Sequence, residues 1–452
     1  MARMQFGTSA FERARGDLPE LPVVNLFLEE APTEETGIAL QSRPGLEDLG
    51  SAMGAGPVET LFQRDGVLSG TLFGISAGQL YAASVPLGTV VGGGVVSIAG
   101  NEVGIMATAG GVMRFWDGTT LSDIAFPDGA GVRHVATGAS RFYAVREDTG
   151  KVYWTAALGD DFDALDFATA ESLPDDVLHI LWLDDGAILL GEQSIEFWPN
   201  SGDADLPIQP LEGAVITRGI KATGCATLYG ETWACVGDDN VVYLGNGTQI
   251  EPISNAGLEE RIKASAVTRL WAFFIDGEEF LALTVDAGTY DRGGRGQRWS
   301  QFASYGETNW IPHCYADGVF GSSTDGTTMA FTAAHEDLGG VLERRVRAGF
   351  ALNSGGLFVD NLILRCNVGQ TPFTTGDYAT PSVEMRTSDD AGQTWSAWDS
   401  ATLGAQGDYR AQPVWDALGM ASQPGFLVEF RVTAPIDFRV SDVLINEPRG
   451  GR

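Results

Sequence analysis

Residues 104–115, GIMATAGGVMRF, contain the pattern on which the fold prediction depends. An apolar run is followed by a turn containing Gly or Asp, and a second run ends in an aromatic residue. The same unit recurs along the chain, with its aromatic residue at Tyr81, Phe115, Tyr153, Phe197, Tyr243 and Tyr290. The interval between these residues grows from 34 residues, Tyr81 to Phe115, to 47 residues, Tyr243 to Tyr290. Short strands repeated at this interval predict an all-β fold.

A repeat of this length built from short strands is typical of a β-propeller, whose blades are four-stranded meanders of about 40 to 50 residues. One meander cannot bury both of its faces, so each blade needs a neighbour on either side. The six aromatic positions and the run 315–320, YADGVF, predict an irregular β-propeller of six or seven blades within residues 56–338. A pair of β-sandwiches would give a similar number of strands and stays open as an alternative.

The segments on either side of the repeats differ from them in composition and in strand pattern. Residues 1–55 are rich in Pro, Glu and Gly and offer too little apolar surface for a core of their own. We therefore expect an N-terminal arm that wraps the propeller or a neighbouring subunit. Residues 339–452 are predicted to form a C-terminal all-β domain resembling a β-sandwich. Its alternating strands are expected at 358–364, 383–387, 426–432 and 443–445.

Charge restricts the possible partners. The 452 residues include 60 acidic and 28 basic ones, which gives a formal net charge of −32. Tight binding to DNA needs clustered Lys and Arg, whereas the three Lys residues lie far apart at 151, 221 and 263. The N-terminus lacks the apolar core of a signal peptide, and the uncharged stretch 81–101 is interrupted by Pro and Gly. We expect no insertion into a membrane.

No catalytic, cofactor-binding or metal-binding residue is predicted. Residues 74–78, GISAG, fit the nucleophile elbow of hydrolases, but a strand pattern follows them, which favours a hairpin turn. The four His, at 134, 179, 313 and 335, are interpreted as ordinary structural or surface residues, because neither they nor the four Cys show the spacing of metal ligands. A glycosidase would need two carboxylates across a cleft, which the sequence does not pair.

Residues 388–395, SDDAGQTW, match the Asp-box pattern S-x-D-x-G-x-T-W. The matching positions are Ser388, Asp390, Gly392, Thr394 and Trp395. The pattern predicts a structural hairpin turn in which the carboxylate accepts backbone N–H groups, Gly takes a conformation unfavourable for other residues, and Trp packs beneath. Sialidases carry such boxes, so a glycan-cleaving propeller is an alternative on fold analogy.

Several segments in sequence order resemble one family. Residues 24–30, VNLFLEE, and 43–46, RPGL, are followed by 194–198, SIEFW. Further positions in the same order are Gly202, Gly219, 238–243, 253–254 and Glu259. Together they resemble the packaged-DNA stabilisation proteins of short-tailed bacteriophages, also called tail hub or tail nozzle proteins. The Asp box, with Gly404, residues 407–410 and residues 415–419, resembles the C-terminal part of related phage tail proteins.

The resemblance implies a structural virion protein, assembled in the host cytoplasm into a closed ring, which is a hexamer in this family. The ring would lie in the phage tail below the portal and adaptor ring, retain packaged DNA after head–tail connection and form part of the conduit for DNA ejection. The implied partners are the adaptor ring protein and a tail fibre, spike or plug protein, with DNA passing through the lumen without specific binding. The resemblance carries over no catalytic residue, no enzyme activity and no cofactor.

Two other functions stay open on the sequence. The first is a glycan-binding or glycan-cleaving propeller that acts in host receptor recognition. The second is a bacterial propeller that serves as a cytoplasmic scaffold.

Overall fold

The computed structural model describes residues 2–7, 21–32, 34, 36–90, 95–351, 356–421 and 425–446. Five strands precede the repeated units: β1 Ala2–Phe6, β2 Val23–Val24, β3 Leu26–Glu30, β4 Ile38–Ser42 and β5 Gly45–Asp48. These five strands do not form a separate sheet. β1, β2, β4 and β5 each pair with a strand from a later part of the chain, and β3 pairs with β4.

The next part of the chain forms blades of antiparallel strands, each folded as a meander. Blade 1 comprises β6 Val58–Phe62, β7 Phe73–Ser76, β8 Gln79–Ala82 and β9 Val85–Thr89, and blade 2 comprises β10 Val96–Asn101, β11 Gly104–Ala109, β12 Val112–Trp116 and β13 Leu121–Asp123. Blade 3 comprises β14 Val132–Gly138, β15 Arg141–Arg146, β16 Lys151–Thr155 and β17 Phe162–Thr169. Blade 4 comprises β18 Val177–Leu183, β19 Gly186–Gly191, β20 Ile195–Pro199 and β21 Val215–Ile216.

Three more blades follow. Blade 5 comprises β22 Ala226–Tyr229, β23 Thr232–Val236, β24 Val242–Asn246 and β25 Gln249–Pro252. The helix α1, Ala256–Ala264, leads to blade 6, with β26 Thr268–Ile275, β27 Glu278–Val285, β28 Gly288–Gly293 and β29 Arg298–Phe302. Blade 7 contains β30 Pro312–Ala316, β31 Val319–Ser322 and β32 Thr328–Thr332. Short 3-10 helices lie at Leu68–Gly70 and Pro127–Gly129.

The all-β propeller prediction is confirmed, and the described residues form seven blades. Each of the six aromatic residues that define the sequence repeat lies in the third strand of its blade, from Tyr81 in β8 to Tyr290 in β28. The first strand of each blade contacts the first strand of the next, and β30 of blade 7 contacts β6 of blade 1. The ring of blades is therefore closed.

Buried side chains fill the space between each pair of neighbouring blades. The seven apolar clusters that do this each take residues from two blades. Phe142, Ile180 and Leu281, from three different clusters, are fully buried. This arrangement satisfies the physical requirement that a single meander cannot bury both faces.

The N-terminal segment supplies the outer strand of blade 7. β5 pairs antiparallel with β32, with Leu46 opposite Phe331 and Asp48 opposite Met329. A small hairpin, β33 Glu336–Asp337 and β34 Gly340–Val341, adds a parallel contact between Asp337 and Leu46. The predicted arm thus contributes directly to the propeller through residues 45–48, and the propeller closes through two distant parts of the chain.

The C-terminal part forms two packed sheets. Its strands are β35 Arg344–Ala351, β36 Leu357–Cys366, β37 Ser382–Ser388, β38 Asp399–Thr402, β39 Val414–Ala421, β40 Gly425–Val432 and β41 Arg439–Ile445. One sheet has the order β3-β4-β41-β36-β39, and the other has the order β2-β35-β40-β37-β38. Trp415 and Phe430 lie in the core between them.

A continuous sheet connects this sandwich to the propeller. The strand β2 pairs with β35 of the sandwich on one side and, in parallel, with β29 of blade 6 on the other, where Val24 lies opposite Gln301. The strand β1 pairs with β41 and with β35 and so joins the two sheets of the sandwich. The N-terminal segment is therefore part of both units.

Candidate functional site

Asn25 fixes the N-terminal segment at the junction of the two units. Its backbone is left-handed, with φ of 56°, a conformation that Asn adopts more readily than most residues. Its Nδ2 donates to the backbone carbonyls of Ala303 at 2.9 Å and Glu343 at 2.8 Å, and its Oδ1 accepts the N–H of Ala303 at 3.0 Å. Because Ala303 follows β29 and Glu343 precedes β35, this one side chain links blade 6 to the sandwich.

Arg43 completes the junction. Its Nε donates to Asn25 Oδ1 at 2.9 Å, and its two terminal nitrogens donate to the two carboxylate oxygens of Asp337. The guanidinium carbon also lies 5.5 Å from the ring centre of Phe302 and 5.2 Å from that of Trp310, where the aromatic faces favour a cation. We call Asn25, Arg43 and Asp337 the clasp.

Gly45 allows the chain to pass next to the clasp. A Cβ atom at this position would lie 2.1 Å from the carbonyl oxygen of Ala334 and 2.2 Å from that of Glu336. Both contacts are with backbone, which cannot move aside as a flexible side chain can. The segment Arg43-Pro44-Gly45-Leu46 therefore owes its residue types to the clasp, to this close approach and to the pairing of β5.

Two more ionisable side chains are buried beside the clasp. Burial raises the pKa of Asp291 in β28 to about 7, although Ser300 Oγ donates to its Oδ2 at 2.6 Å. Burial lowers the pKa of Arg344 to about 9. Its guanidinium donates to three backbone carbonyls, of Leu342, Ala434 and Ile436. The junction is thus polar, with most of its groups hydrogen-bonded and with Asp291 Oδ1 and Arg344 Nε buried without a partner among the described residues.

The segment Ser194–Trp198 has a comparable structural role between blades 3 and 4. Glu196 is buried, and its carboxylate accepts the N–H of Ser172 at 3.1 Å and the indole N–H of Trp198 at 2.9 Å. The carboxylate of Asp175 accepts the N–H and the hydroxyl of Ser194. These carboxylates are occupied by neighbouring N–H and O–H groups, so their geometry is that of an inter-blade support.

The five Asp-box residues form one turn. Asp390 Oδ1 accepts the backbone N–H groups of Gln393 at 2.9 Å and Thr394 at 2.8 Å, and Asp390 Oδ2 accepts the hydroxyl of Thr394 at 2.6 Å. Ser388 Oγ accepts the N–H of Gly392, whose φ is 87°. The indole of Trp395 donates to the carbonyl of Gly392 at 3.2 Å. Hydrogen bonds, first from the Thr394 hydroxyl, lower the pKa of Asp390 to about 2.

The turn places two indole rings on the outer face of the β35-β40-β37 sheet. Trp395 and Trp398 alternate there with three guanidinium groups, at 4.2 to 4.8 Å from ring centre to guanidinium carbon. These groups belong to Arg347, Arg386 and Arg431. Glu429 beneath them is fully buried and accepts hydrogen bonds from Arg347 and Arg386. The stack covers this face of the sheet. Its guanidinium groups form ion pairs with carboxylates of the same sheet, Glu429 and Glu384.

Three of the four histidines converge on the propeller axis, and their interpretation as ordinary structural or surface residues did not include this grouping. The rings of His134 and His179 lie 3.7 Å apart between centres, and His313 Nε2 lies 2.6 Å from the carbonyl oxygen of Val58. All three line the same axial cavity. The available signal was spacing: His134 and His179 are 45 residues apart, about one blade, and each lies near the start of an inner strand.

The remaining candidates show no catalytic arrangement. Ser76 of the GISAG segment ends β7 at a hairpin turn, is buried and donates to the carbonyl of Gly56 at 2.8 Å. Within the described ranges, no group of three or more His, Cys, Asp or Glu could hold a metal ion. Across the same residues, no helix is both long and apolar enough to cross a membrane.

The sequence pattern of the family described as "Bacteriophage P22 Gp10, beta-propeller" matches residues 5–285. The chain belongs to this family of phage DNA-stabilisation proteins. The matched range includes Asn25 and Arg43 of the clasp and the Ser194–Trp198 segment. The Gp10 family pattern therefore covers residues that hold the N-terminal segment and the blades in place. No curated protein sequence matches the chain.

Solved structures resemble the chain in fold alone. YCF48 from Cyanidioschyzon merolae is 11% identical with a TM-score of 0.43, and the match covers 64% of this chain and 98% of that one. PorZ of Porphyromonas gingivalis is 14% identical with a TM-score of 0.37, over 70% of this chain and 45% of that one. The chain therefore spans less than half the length of PorZ. The extracellular domain of BT4673 from B. thetaiotaomicron is 8% identical with a TM-score of 0.42, over 85% and 56%.

Proposed function

We propose that this phage structural protein forms a closed ring, a hexamer, in the tail of a short-tailed phage. The ring lies below the portal and adaptor ring, retains packaged DNA and becomes part of the conduit for ejection. Its partners are the adaptor ring protein and a tail fibre, spike or plug protein. The protein has no enzymatic activity and acts mechanically.

The family match carries this proposal. It extends over 5–285, which includes most of the N-terminal segment, all of blades 1 to 5 and the first two strands of blade 6. A match confined to one blade would reflect the propeller fold shared by many unrelated proteins. Here it includes the segment that closes the propeller and joins it to the sandwich.

The junction supports a mechanical role. A subunit that retains DNA under pressure must not open between its own units. In this protein, β2 continues the sheet from blade 6 into the sandwich, and the buried clasp ties the N-terminal segment to both. Interfaces that lack such connections allow the two units of a chain to move against each other.

The charge distribution supports passage of DNA without binding. No Lys or Arg occurs between Lys151 and Arg218, a range that includes the last two strands of blade 3, apart from Lys151 itself, and all of blade 4. Asp160, Asp163, Asp203 and Asp205 are exposed there. A surface of this sign repels phosphate groups at distances within the Debye length, about 8 Å in physiological salt. It also requires that any tightly bound partner present a basic or neutral surface.

Retention of DNA in packaged heads tests the proposal. Heads packaged in a host infected by phage lacking this gene should lose their DNA, and addition of the purified full-length protein should restore DNA retention. Arg43→Met, which breaks the clasp, should restore less DNA retention than Arg295→Gln, which changes an exposed residue. Heads that retain DNA equally well without the protein would contradict the proposal, as would release of reducing ends from glycans incubated with it.

A further inference from the structure

A cavity of about 500 Å³ lies on the propeller axis at the end where the inner strands begin. All seven inner strands contribute to its lining. The cavity is separate from the clasp, the Asp box and the acidic surface of blades 3 and 4. Its polar lining includes Glu59 from β6, His134 and His179, Thr268 and Arg269 from β26, and His313 from β30.

Arg269 brings a positive charge to this cavity without a matching partner. Arg269 is half-buried, and desolvation lowers the pKa of its guanidinium. Glu59 is near enough for its charge to raise that pKa, yet among the described residues none accepts a hydrogen bond from Arg269 or forms an ion pair with it. A guanidinium carries five N–H donors, and those of Arg269 are available to a ligand in the cavity.

Two further groups in the lining are buried and unpaired. Thr268 Oγ1, next to Arg269 in the chain, has no hydrogen-bond partner, and neither does His134 Nδ1. Both atoms have almost no accessible surface, so Arg269 is the cation that the cavity exposes.

His179 provides another donor. Its Nδ1 accepts a long hydrogen bond, 3.4 Å, from the N–H of Gly224. Burial holds the pKa of His179 well below its usual value, so the ring is neutral and its proton is on Nε2. The lining of the cavity therefore combines one positive charge, on Arg269, with a neutral imidazole, on His179.

We propose that this axial cavity binds a small oxyanion, a carboxylate or a phosphate, with Arg269 as its main ligand. Charge-assisted hydrogen bonds from Arg to an oxyanion are among the strongest that proteins form. Glu59 opposes the anion, because its carboxylate lies close to the same guanidinium. The proposal does not depend on ring formation.

Isothermal titration calorimetry of the full-length protein with inorganic phosphate and with citrate tests the site. The wild type should bind at least one of them. Arg269→Gln should weaken that binding by about tenfold or more, the equivalent of one charge-assisted hydrogen bond. Glu59→Gln should tighten it, because a repelling charge is removed. Arg295→Gln, which removes the same charge at an exposed position outside the cavity, should leave it unchanged.

The opposite signs expected for Arg269→Gln and Glu59→Gln distinguish binding in the cavity from a change in folding. If neither anion binds to the wild type, the proposal is wrong. It is equally wrong if Arg269→Gln and Arg295→Gln bind alike. Should Arg269→Gln fail to fold, Glu59→Gln decides alone, since unchanged or weaker binding in that variant would overturn the proposal.

Discussion

Arg43 and Asp337 form a buried bidentate ion pair although 294 residues separate them in sequence. The Arg43 side chain is 0% exposed and that of Asp337 is 9% exposed. Such a pair gives little net stability relative to an apolar pair of the same shape, but loss of one partner leaves the other charge buried and unpaired. The pair therefore specifies where the N-terminal segment lies.

Arg43→Met should lower the free energy of unfolding by about 3–5 kcal/mol, because Asp337 is left as an unpaired buried carboxylate. Urea denaturation followed by tryptophan fluorescence measures this change. The matched control is Arg295→Met, which breaks the exposed pair with Glu278 and should cost less than about 1 kcal/mol. Equal losses in the free energy of unfolding would show that the clasp contributes no more to stability than an exposed ion pair.

Asp390→Ala should loosen the Asp-box turn, because the N–H groups of Gln393 and Thr394 lose their acceptor. Limited proteolysis should cut residues 388–398 faster in this variant, and its melting temperature should fall. Asp389→Ala, at the exposed neighbouring position, is the control and should behave like the wild type. A change in some chemical activity, with cleavage rate and melting unaltered, would argue against a structural turn.

The turn should also weaken in acid. The pKa of Asp390 is about 2 in the folded protein, below the usual 3.8. A lowered folded-state pKa contributes stability that is present above about pH 4 and lost as the pH falls from there towards 2. Protection of the turn from an acid-active protease should decline over this range in the wild type but not in Asp390→Asn.

Asp291 should have the opposite effect on the pH dependence. Burial raises its pKa to about 7, so the folded state holds a proton that the unfolded state has lost above about pH 4. Stability from this group therefore decreases as the pH rises from 4 to 7, by no more than about 1.4 kcal/mol per pH unit. Asp291→Asn should remove that decline, which urea midpoints at pH 5 and pH 8 would reveal. An identical pH profile in variant and wild type would refute the assignment.

Duplex DNA should not bind measurably at about 0.15 M salt, where proteins with several Lys or Arg contacts to phosphate bind at about 10⁻⁴ to 10⁻⁶ M. A gel shift measures this directly. Micromolar binding that weakens steeply with salt would point instead to a basic groove.

Local patterns in the sequence predicted what depends on neighbouring residues. The aromatic residue of each repeat, such as Tyr153 or Tyr243, marks the third strand of its blade because one meander is formed within about 45 residues. The same holds for the Asp box, in which Ser388, Asp390 and Thr394 bond within a single turn.

Features that join distant parts of the chain could not be predicted in this way. The pairing of Leu46 with Phe331 closes blade 7, yet nothing within residues 45–48 indicates that partner. The clasp needs Arg43 to meet Asp337, one of 60 acidic residues. The close approach of the His134 and His179 rings depends on the curvature of the ring of blades, which the spacing of 45 residues suggests only once a propeller is assumed.

Electron microscopy of the purified full-length protein, alone and mixed with adaptor rings at low and physiological salt, tests the central claim most directly. Subunits of charge −32 repel each other, so free protein should form few rings at low salt and more as salt rises, while adaptor rings should template closed six-membered rings. Closed rings stacked coaxially on the adaptor are the predicted result. Particles that stay monomeric beside adaptor rings at both salt concentrations would contradict the account.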